Sequence, residues 1–228
     1  MRKTICLCAL LISLAGIFSC KKKEFGKLEV RFHHFAPNTG LLSWVYAGKD
    51  TVARISYTES SPYIVAGLEN LSFNAFSDKQ LRVRVSNPAW QQDSKYSVYV
   101  CDTPGTINKI LIKDEQIPAS TGKAYLRFIH LMPDTHAVQL MANDSVLFKS
   151  ERFVYALRNY FKGISGYDTL SSGTYSFSIK VFEDTSAVVY PMILSFDLEE
   201  GKTYDFVAAG FPRASGTLKL VGKIIPTH

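Results

Sequence analysis

The chain predicts an all-β protein, two tandem antiparallel sandwiches behind an N-terminal export segment. Two observations carry the prediction. Apolar and polar residues alternate with period two along many short runs. In addition, "VRFHHFAPNT" (Val30–Thr39) returns as "LRFIHLMPDT" (Leu126–Thr135), with five of ten positions identical.

The alternation is clearest in "KLEVRF", where Leu28, Val30 and Phe32 flank Glu29 and Arg31. "TYSFSIKVF" sets Tyr175, Phe177, Ile179 and Val181 against Ser176, Ser178 and Lys180. Runs of this kind, rich in β-branched and aromatic residues, are half-buried strands. "PNTG", "AGKD", "SSGTY" and "EEGKTY" separate them as turns. Short strands at such spacing form sandwiches, here of the Ig-like or transthyretin-like kind. Only "SERFVYALRNYF" (Ser150–Phe161) hints at helix, and it reads as a long loop with at most one helical turn.

The duplication extends past its motif. "LLSWVYAG" lies on "AVQLMAND", "DSKYSVYV" answers "EGKTYDFV", and "TINKILIKDEQIP" answers "GTLKLVGKIIP". In this alignment Ser94 replaces the glycine of the second copy, Gly201. The expected units are 27–118 and 123–228, joined by a linker at 119–122 of turn and coil residues.

The N-terminus reads as processing signal, not fold. Arg2 and Lys3 precede the fourteen-residue run Ile5–Phe18, then Ser19 and Cys20. The run is short of the ~20 residues that span a bilayer, so 1–19 is a signal peptide and 20–26 a tether. "IFSC" resembles a bacterial lipobox. That resemblance implies that Cys20 is acylated and becomes the first residue of the mature chain. Lys21 in place of Asp implies sorting to the outer membrane of a Gram-negative bacterium.

Charge and cysteine usage exclude some functions. Of the formal +6, residues 1–27 supply +5, from six basic residues against Glu24, which leaves about +1 for the rest. No basic face of the nucleic-acid kind is present. With Cys6 and Cys8 in the signal and Cys20 the lipid site, only Cys101 remains, and one thiol makes neither an internal disulfide nor a multi-thiolate metal site. It reads as a small buried hydrophobe.

Candidate sites were weighed against structural roles. His34 and His130 hold the same place in both copies, at strand ends with core-facing parity. A ring N–H bonded to the following turn explains them better than a metal site, which needs supporting ligands. Pro37-Asn38-Thr39 and Pro133-Asp134-Thr135 read as turns in which Asn or Asp bonds the backbone. Glu199 and Glu200, adjacent before Gly201, read as a solvated hairpin rather than an acid–base pair. Trp44 answers Leu140 and reads as core. Trp90, Tyr57, Tyr63, Tyr155 and Tyr160 lie on divergent loops and are the candidate ligand-contact residues. No catalytic, cofactor or metal residue is assigned.

The frame "R-F-x-H-x-x-P-[ND]-T", followed by "SSGTYSFSIKVF" and "EEGKTYDFVAAG", resembles the bacterial family catalogued as domain-of-unknown-function family 4397. The resemblance covers Lys123–Pro226 well and Lys27–Pro118 more weakly. It implies tandem sandwich domains in envelope proteins, with no activity attached. The expected function is therefore a non-catalytic envelope lipoprotein with a binding role. It meets the membrane through its lipid and a protein or glycan through its loops, and it does not meet nucleic acid. A structural or accessory subunit of an envelope complex is the alternative, ahead of carbohydrate binding or an enzyme.

Overall fold

The computed structural model describes residues 26–227 except 49, 70, 87–88, 104–105, 136, 149–152, 154, 157–159 and 183–185. Cys20 and the segments 1–19 and 20–25 lie outside the described residues.

The first repeat contributes β1 (Lys27–His34), β2 (Leu42–Tyr46), β3 (Asp50–Ile55), β4 (Ile64–Gly67), β5 (Phe73–Ser77), β6 (Gln80–Val85), β7 (Lys95–Thr103) and β8 (Thr106–Asp114). The second contributes β9 (Lys123–Leu131), β10 (Ala137–Ala142), β11 (Ser145–Val146), β12 (Ile164–Ser171), β13 (Gly173–Phe182), β14 (Ala187–Leu198), β15 (Thr203–Ala209) and β16 (Val221–Pro226). One helical turn, Tyr160–Gly163, interrupts the long loop.

The sheets sort by repeat. β4-β1-β7-β8 faces β3-β2-β5-β6, and β12-β9-β15-β16 faces β11-β10-β13-β14, in the same order. Neighbours run antiparallel except β1–β7 and β9–β15, which are parallel. The parallel pairs arise because the first strand of each repeat inserts between one early and one late strand. The hairpin turns also match. Ala47 and Gly48 have φ of 48° and 73°, and their counterparts Asn143 and Asp144 have 45° and 62°. Two left-handed residues in succession suit a hairpin, because their twist follows that of the strands.

Each sandwich has its own core. In the first, Phe32 stacks on Trp44 at 3.9 Å and meets Phe73 edge-on at 5.0 Å. In the second, Phe128, Phe153, Phe177 and Phe206 fill the same space around Leu140. Trp44 and Leu140 are both fully buried, as the alternation predicts.

A third cluster belongs to neither sandwich. Phe35, Tyr99, Cys101, Ile110 and Ile112 of the first repeat pack with Ile129, Leu131, Ala156, Val207, Ala209 and Ile225 of the second. The outer faces of the β1 and β9 sheets therefore pack against each other. Strands there are buried on both sides: all seven residues of β15, and every residue of β7 from Tyr96 to Cys101.

The pairing corrects the sequence alignment by one residue. Arg31 pairs Ser97 across β1–β7, and Arg127 pairs Asp205 across β9–β15. Ser97 is thus the twin of Asp205, whereas the ungapped alignment set Val98 against it. The twin of Gly201 is Asp93, and both are left-handed, with φ of 74° and 56°. Their N–H groups donate to equivalent carbonyls, Lys123 and Lys27, each at 2.7 Å. Twin positions lie 96 residues apart at β1 and β9 but 108 apart at β7 and β15, and matching Lys95 with Lys202 by residue type sets the copies one residue off.

Candidate functional site

The densest assembly of charged side chains lies between the repeats. Arg127 enters from the middle of β9. Its Nε donates to Asp205 Oδ1 at 2.7 Å and its Nη2 to Asp205 Oδ2 at 2.8 Å, a bidentate pair within the second repeat. Nη2 also reaches Asp114 Oδ1 of the first repeat at 3.1 Å. Tyr99 donates across the interface to Asp205 Oδ2 at 2.5 Å. Ser97 and Tyr63 donate to Asp114 Oδ2 at 2.7 and 2.8 Å. Asp205 is fully buried, and Asp114 and Arg127 nearly so. Burial opposes the charge of Arg127, but Asp205 outweighs it and holds the guanidinium pKa above its ordinary value.

The contacts repeat about a local two-fold relation. Arg31 is the twin of Arg127. Arg31 lies over the Tyr63 ring at 4.6 Å, and Arg127 over Tyr167 at 4.8 Å. Arg31 Nη1 donates to the carbonyl of Pro226, at the end of β16, at 2.6 Å. Arg127 reaches Asp114, at the end of β8. Behind each arginine a serine hydroxyl, Ser61 or Ser165, accepts from the N–H of Phe32 or Phe128, at 3.0 and 2.7 Å. Two copies of one face thus meet each other, the arrangement of an isologous dimer within one chain.

The duplicated histidines build turns. His34 Nδ1 accepts from the Ala36 N–H at 3.3 Å, so its Nε2 carries the proton and donates to Gly40 O at 2.8 Å. His130 Nδ1 accepts from the Met132 N–H at 3.1 Å, and its Nε2 meets the Thr135 hydroxyl at 2.9 Å. Thr135 passes the bond on to Met132 O at 3.0 Å. Asn38 departs from the expected turn. It is left-handed, with φ 59°, and its side-chain oxygen accepts from Thr217 of the other repeat. Asp134 is exposed, and no described residue of its turn is left-handed. The histidine, not the Asn or Asp, is the element that both turns share.

The four loop aromatics with described side chains do not converge. Trp90 caps the first core, edge-on to Tyr96 at 4.6 Å. Tyr57 is half-buried beside His34, and burial pushes its hydroxyl up to about 12. Tyr63 is bound to Asp114, as described. Tyr155 is buried and donates to Asp102 of the first repeat. Tyr160 opens the helical turn, and its side chain lies outside the described residues. Tyr155 is thus a strut between the repeats, and Tyr63 holds Asp114 of its own repeat and lies 3.4 Å from Thr227 O of the other; neither is an exposed ligand platform. The reason is that the loops carrying them fold over the docked sheets.

Cys101 is fully buried in the third cluster, and burial, then Asp102, pushes its thiol well above the ordinary range. Glu199 and Glu200 stand exposed at a hairpin. Among the described residues no group of three His, Cys, Asp or Glu side chains is placed to hold a metal ion.

Sequence reasoning missed His33, Arg31, Arg127, Asp205 and Asp114 as a group. His33 is fully buried, stacked on Tyr99 at 4.3 Å, with Nδ1 at 2.6 Å from Ser60 Oγ. A signal was present. "YSVYVC" and "YDFVAA" carry apolar residues at both parities, which marks strands covered on both faces.

Acid acts on this arrangement. Burial, then Arg31 and Arg127, lower the pKa of His33 well below its ordinary value. Burial also lowers that of His34, against the opposing Gly40 carbonyl and Glu59. The unfolded chain takes up protons near pH 6.5, and the folded chain only at lower pH. The contribution is therefore complete above about 6.5 and is lost as pH falls below it, with a limiting slope of ~1.4 kcal/mol per unit for each histidine. Melting temperature should drop from pH 7.5 to 5.5. His33→Phe, which keeps the ring stack and removes one titration, should flatten that fall. A melting temperature constant over this range would refute the assignment.

A duplicated β-sandwich whose copies meet through a shared apolar cluster and a buried ion network defines a class: a paired-domain scaffold. Residues 28–141 and 124–222 each match the family described as Domain of unknown function (DUF4397). The chain belongs to that family. No curated protein matches it.

Proposed function

We propose that this chain is an envelope lipoprotein, anchored through Cys20 to the outer membrane of a Gram-negative bacterium, and that its docked repeats form a non-catalytic module that binds a protein partner. The observation that carries the binding role is strand β14. It is twelve residues long and lies at the edge of its sheet. Val188, Val189 and Leu194 on it are 37, 49 and 85% exposed. Edge strands are ordinarily blunted by charge. The edge strand β6, at the equivalent place in the first repeat, carries Arg82 and Arg84, whereas β14 has no basic residue and offers only Pro191 and Asp197 against pairing. An apolar open edge of this kind suits strand addition by a protein partner.

The non-catalytic reading is supported by the commitments of the reactive groups. The paired histidines hold turns, the thiol is buried and the acids of the interface are bound to Arg127. The lipid supports the location. Six residues, 21–26, separate the acylated cysteine from β1, a reach of at most roughly 25 Å. The module would sit close above the membrane.

The test combines both parts. A fatty-acid probe should label the wild type and not Cys20→Ala, and the variant should leave the membrane fraction or remain uncleaved. A photo-crosslinker at position 194 of the anchored protein should join a second polypeptide, and the double change Val188→Lys with Val189→Lys should abolish that product at unchanged melting temperature. Mature protein that begins elsewhere than Cys20 sinks the anchor. A crosslink insensitive to the double change sinks the edge as the binding surface.

A further inference from the structure

The two arginines of the interface differ in one respect. Arg127 spends Nε and Nη2, the edge of the guanidinium that fits a carboxylate, on Asp205. Arg31 has no such acid, because the twin of Asp205 is Ser97, and Ser97 donates to Asp114. Arg31 is only 8% exposed. Its Nη1 is bound to Pro226 O, while Nε and Nη2 are buried and find no acceptor among the described residues. A buried guanidinium edge without an acceptor is costly, and natural structures rarely leave one so.

Arg31 also lines a cleft of about 590 Å³ between the repeats. One wall is β3 and the segment Thr58–Pro62, and the other is Lys223–Pro226 of β16. Arg54 and Lys223 line it as well, and both are exposed. The acid in the lining, Glu59, already accepts the Ser56 N–H at 2.9 Å. Three cations against one committed acid make this a cationic cleft of small-ligand size.

We infer that the cleft is a binding site for a small organic polycarboxylate, with one carboxylate on the free edge of Arg31 and a second toward Arg54 and Lys223. The planar fork of Arg31 favours a carboxylate, as its twin does with Asp205. The flanking cations and the volume favour a ligand with more than one acidic group over a single small ion. The site exists because the repeats are docked: one wall belongs to each. It is separate from the β14 edge and does not depend on that reading.

The mature chain should be titrated with citrate, succinate, acetate and inorganic phosphate at fixed ionic strength, by calorimetry and by melting temperature. Citrate and succinate should bind and raise the melting temperature, acetate at least tenfold more weakly. Arg31→Gln breaks no ion pair and should fold. It should weaken citrate binding tenfold or more. Arg31→Lys keeps the charge but loses the fork, and should be weakened similarly. Lys223→Ala, at an exposed position, should weaken citrate several-fold and leave acetate unchanged, which keeps the test decisive if the Arg31 variants unfold. No response to any carboxylate overturns the site. An equal citrate response in wild type, the Arg31 variants and Lys223→Ala reduces it to a surface-charge effect and overturns it too. Phosphate binding as tight as citrate overturns the carboxylate assignment.

Discussion

Arg127→Met should destabilise the chain by roughly 3–5 kcal/mol, the range seen when one member of a buried ion pair is removed. The change leaves the Asp205 and Asp114 carboxylates, with side-chain exposures of 0%, without the guanidinium that both share. Tyr99, Tyr63 and Ser97 still donate to them, but hydroxyl donors do not neutralise two buried negative charges. Methionine matches the arginine stem, so packing changes little and the loss reports charge. The check is chemical denaturation of wild type and variant at one pH. Replacing all three, Arg127→Met with Asp205→Leu and Asp114→Leu, should recover much of the loss, because apolar groups of similar size often serve as well as a buried ionic cluster. A single-variant loss below about 1 kcal/mol would mean that the network is solvated and that the repeats are held by other contacts.

Separation of the repeats should have the second large effect. The fragment 123–228 keeps its own sandwich core but exposes Ile129, Leu131, Val207, Ala209 and Ile225 to water. At about 1.5–3 kcal/mol for each large aliphatic side chain, the lost burial is on the order of 5 kcal/mol or more. The sequence alone predicts that this fragment folds independently. With the interface in view, it should melt at least 10 °C below the intact chain, or self-associate through the uncovered face. Added fragment 26–118 should restore the melting temperature by forming a heterodimer, in proportion to concentration. Sedimentation and melting of the two fragments, alone and mixed, give the answer. A monomeric fragment that melts with the intact chain would show that the third cluster contributes nothing.

Much of the fold was legible without coordinates, and the particular residues show why. Leu28 and Val30 alternate with Lys27 and Glu29 because the start of β1 has one wet face, and Arg31 continues the alternation although the other repeat covers it. Trp44 and Leu140 replace each other as core because they hold the same place in equivalent sheets of the two copies. The histidines at the strand ends kept their parity and proved to be turn builders. The tyrosines were misread for a physical reason: a loop aromatic looks the same in sequence whether it meets a ligand or another part of the chain. Tyr63 and Tyr155 each meet a partner far away, Asp114 and Asp102, and no local pattern reports such pairs.

The sequence by itself determined the β class, the duplication, the order of matching segments along the chain and the burial of the inner faces, because these follow from local periodicity and repetition. The tertiary structure alone decided that the outer faces dock. It also decided the pairing of β7 with β1 and of β15 with β9, and with it that Asp205 answers Ser97. From serine in one copy and aspartate in the other at that position comes the difference between two equivalent arginines, one neutralised by its own repeat and the other lining a cleft. The buried network joins Arg127 to Asp205, 78 positions away in its own repeat, and Tyr99 to Asp205, 106 positions away across the docked face, separations that no local periodicity reports.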